Sequence, residues 1–199
     1  MLVVITAENH IQNEGQILNL LFQNGLEILH LRKPGWTKSC YLELIREIHP
    51  DFHGKIMIHQ FHELSTEFSL KGIHLPEHQR NSLKDGLHIY ADSFRTKNFE
   101  VSSSFHELSE LETCAYNFSY SFLSPVFTSI SKNNYLGKTF DVTSSSKTIV
   151  ALGGIQEQNI AAAFALGFDG VAALGCIWQN ENPVHQFNQL NKAYPSVLC

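Results

Sequence analysis

Short apolar segments of strand length alternate with segments of helical periodicity along the whole chain, and this alternation constrains the fold most. Almost continuously apolar segments such as Thr148-Ile-Val-Ala-Leu152 are typical of parallel strands buried on both faces. Strands that alternate with helices predict βα units and a parallel sheet. Eight segments qualify as strands: Leu2–Thr6, Glu27–Leu31, Lys55–His59, Gly72–Leu75, Glu100–Ser104, Tyr120–Val126, Thr148–Leu152 and Asp169–Leu174. Eight such units favour an α/β fold of the TIM (β/α)8 barrel type over an open doubly wound sheet.

Two of the predicted units are irregular. In the fourth unit, residues 79–98 contain Leu87-His-Ile-Tyr-Ala-Asp92, for which an extra strand is an alternative. In the sixth unit, residues 127–147 are rich in Ser, Thr, Asn and Lys, which predicts a long loop. Because no linker composition interrupts the pattern, we predict a single barrel domain over residues 1–199.

Composition and charge exclude several classes of protein. The 199 residues carry a net charge of −5 without a block of like charges, which argues against nucleic acid and anionic membranes as partners. The four cysteines, at positions 40, 114, 176 and 199, form no CxxC pair, so we expect reduced thiols and a cytoplasmic location. No apolar segment is long enough to span a bilayer, and the N-terminal residues lack signal-peptide features. The oligomeric state stays open, with a homodimer as one alternative.

Polar residues and glycines collect where the predicted strands end. In barrels of this type the loops after the C-terminal ends of the strands carry the chemistry, so we expect a binding site at that mouth. The residues at these ends are Thr6, Arg32, His59, Gln60, the segment 74–79, Ser104, His106, the segment 124–132, Gly153, Gly154, Gly175 and Cys176.

The last two strands each end in a turn of small residues, at Gly153-Gly154 and at Gly175-Cys176. Glycines allow backbone N–H groups to approach a phosphate closely, and the loops after strands seven and eight are a frequent phosphate site in this fold. The alternative is that the glycines only turn the chain. Arg32 suits bidentate phosphate binding, with a surface ion pair as its alternative. Lys132 lies among hydroxyl side chains that could bind phosphate oxygens together with it. The alternative is that this loop is only solvated.

Eleven histidines suggest a metal site, but the chain contains no HExxH helix. Most of them are therefore expected at the surface or as hydrogen-bonded core residues. His59 and His106 are the better functional candidates, because both follow the C-terminal ends of predicted strands.

An ordered set of motifs resembles one known family. They are Val3-Val-Ile-Thr6, Leu29-His-Leu-Arg-Lys33, Gly72-Ile-His-Leu75, Val101-Ser-Ser-Ser-Phe-His106, Ser124-Pro-Val-Phe-Thr-Ser-Ile-Ser-Lys132, Ala151-Leu-Gly-Gly-Ile155 and Gly167-Phe-Asp-Gly-Val171. Together they resemble the thiamine phosphate synthase/TenI family of TIM barrels over nearly the whole chain. The resemblance implies a transferase of thiamin biosynthesis, which joins hydroxymethylpyrimidine diphosphate to thiazole phosphate and releases pyrophosphate.

The resemblance also implies roles for particular residues. It makes Arg32, Ser104 and Lys132 the candidate catalytic residues, and Gly153, Gly154, Gly175 and Cys176 the candidate phosphate site. Its ligands would be the pyrimidine diphosphate, thiazole phosphate and thiamine phosphate, with no organic cofactor. The expected substrate-binding residues are His30, His59, Gln60, Gln79, His106, Ser129 and Ser131.

The chain departs from the family where the family binds magnesium. Gln60 and Gln79 align with the two aspartates that hold Mg²⁺, and His30 and Pro34 replace the Gln and Lys that flank the family's arginine. A neutral amide oxygen is a poorer ligand for this hard cation than a carboxylate, so we expect weakened Mg²⁺ binding. Glu77 is the remaining candidate metal ligand.

Three functions are compatible with these residues. The first is a synthase with a degenerate metal site. The second is a TenI-like thiazole tautomerase with a different base, such as His59 or His106, because the tautomerase histidine is replaced by Pro125. The third is a non-catalytic protein that binds thiamin phosphates.

Overall fold

The computed structural model describes residues 1–128, 137–138 and 140–194. Eight strands form one closed barrel in which every strand is parallel to its neighbours and β1 pairs with β8. The prediction of a parallel eight-stranded barrel is therefore confirmed. The strands are β1 (Leu2–Ile5), β2 (Ile28–Leu31), β3 (Ile56–Ile58), β4 (Gly72–Leu75), β5 (Glu100–Phe105), β6 (Tyr120–Leu123), β7 (Ile149–Leu152) and β8 (Gly170–Ala173).

Helices follow the strands along the chain. The α-helices are α1 (Glu14–Gln23), α2 (Lys38–Glu47), α3 (Leu64–Glu67), α4 (Glu77–Leu83), α5 (Leu87–Arg95), α6 (Leu108–Thr113), α7 (Ile160–Ala165), α8 (Gly175–Trp178) and α9 (Pro183–Ala193). Short 3-10 helices cover Pro50–Lys55, Lys84–Gly86 and Glu157–Asn159. No described helix has the length and apolar character needed to cross a membrane.

Alternate residues of each strand point into the barrel, and the others pack against the helices. Leu29 and Leu31 of β2 belong to the large core between strands and helices, whereas Ile28 belongs to a separate core inside the barrel. The buried members of the inner core are Val3, Ile5, Ile28, Met57, Tyr120, Phe122, Val150 and Ala172. Residues placed two positions after these therefore point toward the C-terminal mouth.

The irregular fourth and sixth units have identifiable causes. Residues 87–92 form the start of α5 and not a strand, because Leu87, Ala91 and Phe94 recur at helical spacing and pack on the core. The described residues between β6 and β7 form no helix. Phe140 and Val142 nevertheless bury their side chains there, and the Val142 N–H donates to the Leu166 carbonyl at 2.9 Å.

Candidate active site

A cavity of about 790 Å³ opens at the C-terminal mouth of the barrel. Its floor is apolar, formed by residues that include Ile5, Phe122, Leu152, Ala172 and Leu174, and its rim is polar. The residues singled out from the sequence that line it are Arg32, His59, Gln60, Glu77, Gln79, Ser104, His106, Gly153, Gly154, Gly175 and Cys176. The cavity thus collects residues from all eight strand ends, because the barrel brings all carboxyl ends of its strands to one face.

Arg32 is held at the rim by a carboxylate that the sequence analysis missed. Its guanidinium forms an ion pair with Glu8, and its backbone N–H donates to the Thr6 hydroxyl at 2.9 Å. Both side chains remain partly exposed. Among the described residues that line the cavity, Arg32 is the only Arg or Lys, so it is the principal fixed positive charge facing a ligand there.

Lys33, the other cation of the same motif, points away from the cavity. It is fully buried, donates to Glu14 at 2.6 Å and to the Asn9 carbonyl at 2.8 Å, and lies over the Trp36 ring. Burial lowers the pKa of Lys33 and raises that of Glu14, while the contact between them opposes both changes. Lys33 therefore stabilises the fold through these contacts. Its position directly after the apolar strand does not predict this.

Glu77 and His106 approach each other across the rim. His106 Nε2 lies 3.8 Å from a Glu77 carboxylate oxygen, and His106 Nδ1 lies 2.9 Å from the Ser124 carbonyl oxygen. A carbonyl can only accept, so Nδ1 carries the hydrogen and Nε2 of the neutral ring carries the lone pair. Glu77 also lies 3.7 Å from the buried guanidinium of Arg80. This arrangement can hold or move a proton at His106 Nε2.

Gly153 and Gly154 both have positive φ angles, of 96° and 67°. A Cβ on Gly153 would lie 2.9 Å from Pro125 Cα, and one on Gly154 would lie 2.6 Å from the Thr128 carbonyl oxygen. The glycines therefore allow the loop after β6 to pack against the turn after β7. The positive φ angles of both glycines are thus explained by the packing of the rim, independently of any phosphate that their N–H groups bind.

Cys176 lines the cavity at the start of α8, next to Gly175. Burial raises the pKa of its thiol to about 11. The side chain is therefore a neutral thiol at physiological pH and not a nucleophilic thiolate.

Below the rim, three buried imidazoles from neighbouring strands lie in contact. His30 Nδ1 is 2.9 Å from His59 Nε2, and the rings of His59 and His74 stack with centroids 4.2 Å apart. His59 and His74 line the cavity, whereas His30, predicted to bind substrate, is not among the lining residues. His30 instead bonds the Tyr120 hydroxyl through Nε2 at 2.6 Å.

Burial controls the charge of these rings. Desolvation lowers the pKa of His30 to about 3 and holds those of His59 and His74 well below their usual value, with neighbouring imidazoles adding to the effect. All three are neutral at physiological pH. His74 bonds the hydroxyls of Ser102 through Nδ1 at 2.8 Å and Ser104 through Nε2 at 2.7 Å. The sequence analysis did not predict the contact between His30 and Tyr120, because only closure of the barrel brings these two residues together.

Comparison with known proteins identifies the family. The family model described as thiamine monophosphate synthase (TMP-TENI) matches residues 2–177. The chain belongs to this family. A curated thiamine-phosphate synthase from Staphylococcus haemolyticus is 24% identical over 181 residues, covering 84% of this chain and 82% of that protein.

Solved structures of the thiamine monophosphate synthase family share the fold. The thiamine phosphate pyrophosphorylase from Bacteroides thetaiotaomicron superposes with a TM-score of 0.74 at 27% identity, covering 98% of this chain and 97% of its own. The thiamine phosphate pyrophosphorylase from Pyrococcus furiosus, at 18% identity, has a TM-score of 0.76 and covers 100% of this chain and 96% of its own. The family assignment made from the motifs is confirmed.

The residues present fit the family's magnesium poorly. Gln60 and Gln79 line the cavity where the resemblance places the two aspartates, and the Tyr41 hydroxyl donates to Gln60 Oε1 at 3.3 Å. The carboxylates of the described lining are Glu8, already paired with Arg32, and Glu77, close to Arg80. A magnesium ion would thus find no pair of free carboxylates among these residues.

The loop predicted to contain Ser129, Ser131 and Lys132 belongs only in part to the described residues. Ser129, Ser131 and Lys132 lie outside the described residues. The loop's start, Ser124-Pro125, lines the cavity, and Lys138 donates to the His106 carbonyl at 3.0 Å.

Proposed function

We propose that this protein joins hydroxymethylpyrimidine diphosphate to a thiazole phosphate, forming thiamine phosphate and releasing pyrophosphate. The observation that carries the proposal is the single cavity with an apolar floor and a polar rim, in a chain of the thiamine monophosphate synthase family. The floor suits two flat heterocycles, and the rim suits their phosphate groups. The volume of about 790 Å³ accommodates both substrates together.

In this reaction the thiazole nitrogen forms a bond to the pyrimidine methylene carbon while the bond from that carbon to the diphosphate oxygen breaks. Negative charge grows on the departing pyrophosphate. Arg32 is placed to bind these oxygens bidentately, once they compete with Glu8 for its guanidinium. Ser104, oriented by His74, adds a hydroxyl at the same rim. Lys132 is proposed to join them from its loop.

The second phosphate would bind at the turns after β7 and β8. Gly153, Gly154, Gly175 and Cys176 line the cavity in the turns after β7 and β8, and their backbone N–H groups would bind this phosphate. Anchoring the thiazole phosphate there would direct the ring toward the cavity floor, so that proximity lowers the barrier. The ring substituents would contact the remaining polar residues of the cavity, which are Gln60, Gln79, His59 and His106.

The test is a direct assay of the purified chain with both substrates and detection of thiamine phosphate. Arg32→Gln should lower kcat/KM for the pyrimidine diphosphate by about 100-fold, because one charged contact to the leaving group is lost. Arg46→Gln, which removes an exposed charge from α2, is the matched control and should leave kcat/KM unchanged. No thiamine phosphate from the wild type, or equal loss in both variants, would contradict the proposal.

His106 favours a second candidate, a thiazole tautomerase of the same family. Its Nδ1–H donates to the Ser124 carbonyl, which leaves the Nε2 lone pair to accept a proton as a general base, and Glu77 lies close enough to stabilise the charge that this would create. The purified chain would then isomerise the thiazole phosphate without any pyrimidine substrate, and His106→Asn would abolish that reaction. Tight binding of thiamine phosphate with neither reaction would identify a non-catalytic binding protein instead.

A further inference from the structure

The barrel interior contains a cluster of three buried imidazoles to which the synthase reaction assigns no metal. His30, His59 and His74 come from β2, the end of β3 and β4, and each offers a ring nitrogen within 4.8 Å of the other two. Their exposed fractions are 0%, 5% and 0%. Three neighbouring strands therefore point imidazoles into one buried volume where an apolar barrel layer would be expected.

Hydrogen bonds fix the orientation of two of these rings. The Tyr120 hydroxyl bonds His30 Nε2 at 2.6 Å, which leaves His30 Nδ1 facing His59. The Ser102 hydroxyl bonds His74 Nδ1 at 2.8 Å, and a metal at Nε2 would replace the Ser104 hydroxyl, which bonds that nitrogen at 2.7 Å. Histidines that bind metals usually have the remote nitrogen fixed by such a partner.

The imidazoles do not complete a hydrogen-bond network by themselves. His59 Nδ1 is buried and has no hydrogen-bond partner. If Tyr120 donates to His30, the relay ends with an unpaired N–H at His59 Nδ1, and in the reverse tautomers it ends with an unpaired lone pair there. Either ending costs about 1–3 kcal/mol. The hydrogen bonds of the described residues therefore leave the cluster one partner short, at His59 Nδ1.

We propose that His30, His59 and His74 bind a divalent transition metal of the zinc class, with one coordination position open to the cavity above. Two nitrogens bound to Zn²⁺ at about 2.1 Å in tetrahedral geometry lie about 3.4 Å apart. His30 Nδ1 and His59 Nε2 lie 2.9 Å apart and all three ligand nitrogens lie within 4.8 Å of one another, so the ion would replace the hydrogen bond between His30 and His59 and the rings would move to close the site.

The chemistry of the donors selects the metal. Three neutral imidazoles suit Zn²⁺, Co²⁺, Ni²⁺ or Cu²⁺, whereas Mg²⁺ requires oxygen ligands. Because His59 and His74 line the cavity, the fourth position is reached from the cavity. Water, hydroxide or a phosphate oxygen would occupy it there, and an anion would offset the charge of the buried ion.

The site is tested on the full, tag-free chain, stripped with a chelator and then titrated with Co²⁺. We expect the intense visible bands of tetrahedral Co²⁺ at one ion per chain, and their loss when Zn²⁺ is added. His30→Gln and His74→Gln should abolish the bands, and Tyr120→Phe should weaken Co²⁺ binding by about 10-fold. The control His185→Gln removes an exposed imidazole from α9 and should leave the bands unchanged.

Absence of the bands from the wild type is enough to overturn the proposal, so a variant that fails to fold does not leave it untested. Absence of tetrahedral Co²⁺ bands from the folded wild type would overturn it, as would bands that persist in His30→Gln. Since the readout is spectroscopic and needs no substrate, it is independent of whether the chain synthesises thiamine phosphate.

Discussion

The guanidinium of Arg32 is held by the carboxylate of Glu8 at the mouth of the barrel, so the principal described cation of the cavity is already paired. A diphosphate must displace Glu8 or share Arg32 with it. Because both side chains are partly exposed, water screens the pair, and its strength is on the order of 0.5–1 kcal/mol.

Removing the Glu8 charge should strengthen diphosphate binding. We expect Glu8→Gln to lower the Kd for inorganic pyrophosphate roughly 2- to 5-fold, measured by calorimetry at low ionic strength. Glu100→Gln is the matched control, since it breaks the 2.7 Å ion pair with Lys71 at the opposite end of the barrel. An equal gain in both variants would indicate a general effect of net charge and not a local one.

Replacing Gly154 should lower the stability of the fold, so the stability of the variant has to be measured before its phosphate binding. Gly35 and Gly154 both have positive φ, of 78° and 67°, but an added Cβ meets nothing within 4 Å at Gly35. We expect Gly35→Ala to lower the free energy of unfolding by about 1 kcal/mol. Gly154→Ala should cost about 1–3 kcal/mol more, because its Cβ collides with the Thr128 carbonyl. Urea denaturation measures the free energy of unfolding of both variants. Equal losses would show that the loop after β6 moves to accommodate the added Cβ at no cost.

Restoring carboxylates should make synthesis depend on magnesium. The double variant Gln60→Asp, Gln79→Asp places two charges where the family's aspartates lie, and each is worth about 2–4 kcal/mol in the transition state. We expect thiamine phosphate formation to rise at least about 30-fold with Mg²⁺. The matched control Gln60→Asn, Gln79→Asn shortens the same side chains without charge. Wild-type turnover that already needs Mg²⁺ and matches an ordinary synthase would contradict the prediction.

The buried histidines should make the metal-free protein sensitive to acid. Burial lowers the pKa of His30 in the folded chain to about 3, against 6.5 for the ordinary value. Between these two values the unfolded chain binds a proton that the folded chain does not. The free energy of unfolding therefore falls as pH is lowered through this window, by about 1.4 kcal/mol per pH unit for this residue.

Chelator-treated protein, unfolded with urea at a series of pH values, tests this expectation. His30→Gln should flatten the pH dependence below pH 6.5 by about that amount. His185→Gln, on the surface of α9, is the control. A slope that is identical in the wild type and His30→Gln would show that the buried ring is not kept neutral.

The sequence by itself determined the barrel, the family and the composition of the rim. Parallel strands buried on both faces must be apolar along their length, so all eight could be located, with ends displaced by up to three residues, as at β6. The residues that follow each strand must meet at one face of a closed barrel. That rule is local and topological, which is why Arg32, Ser104 and His106 could be assigned to the mouth without coordinates.

Only the tertiary structure decided which neighbours share a contact. Glu8 with Arg32, Lys33 with Glu14, and His30 with Tyr120 are separated by 19 to 90 residues, and no periodicity links their members. Adjacent residues Arg32 and Lys33 look equivalent as letters, yet one faces the cavity and the other is buried beneath it. The different positions of these two side chains follow from barrel closure and from the alternation of residues that point into and out of the barrel. The contact between three imidazoles from three strands has the same cause. Neither can be predicted from the linear order of the residues.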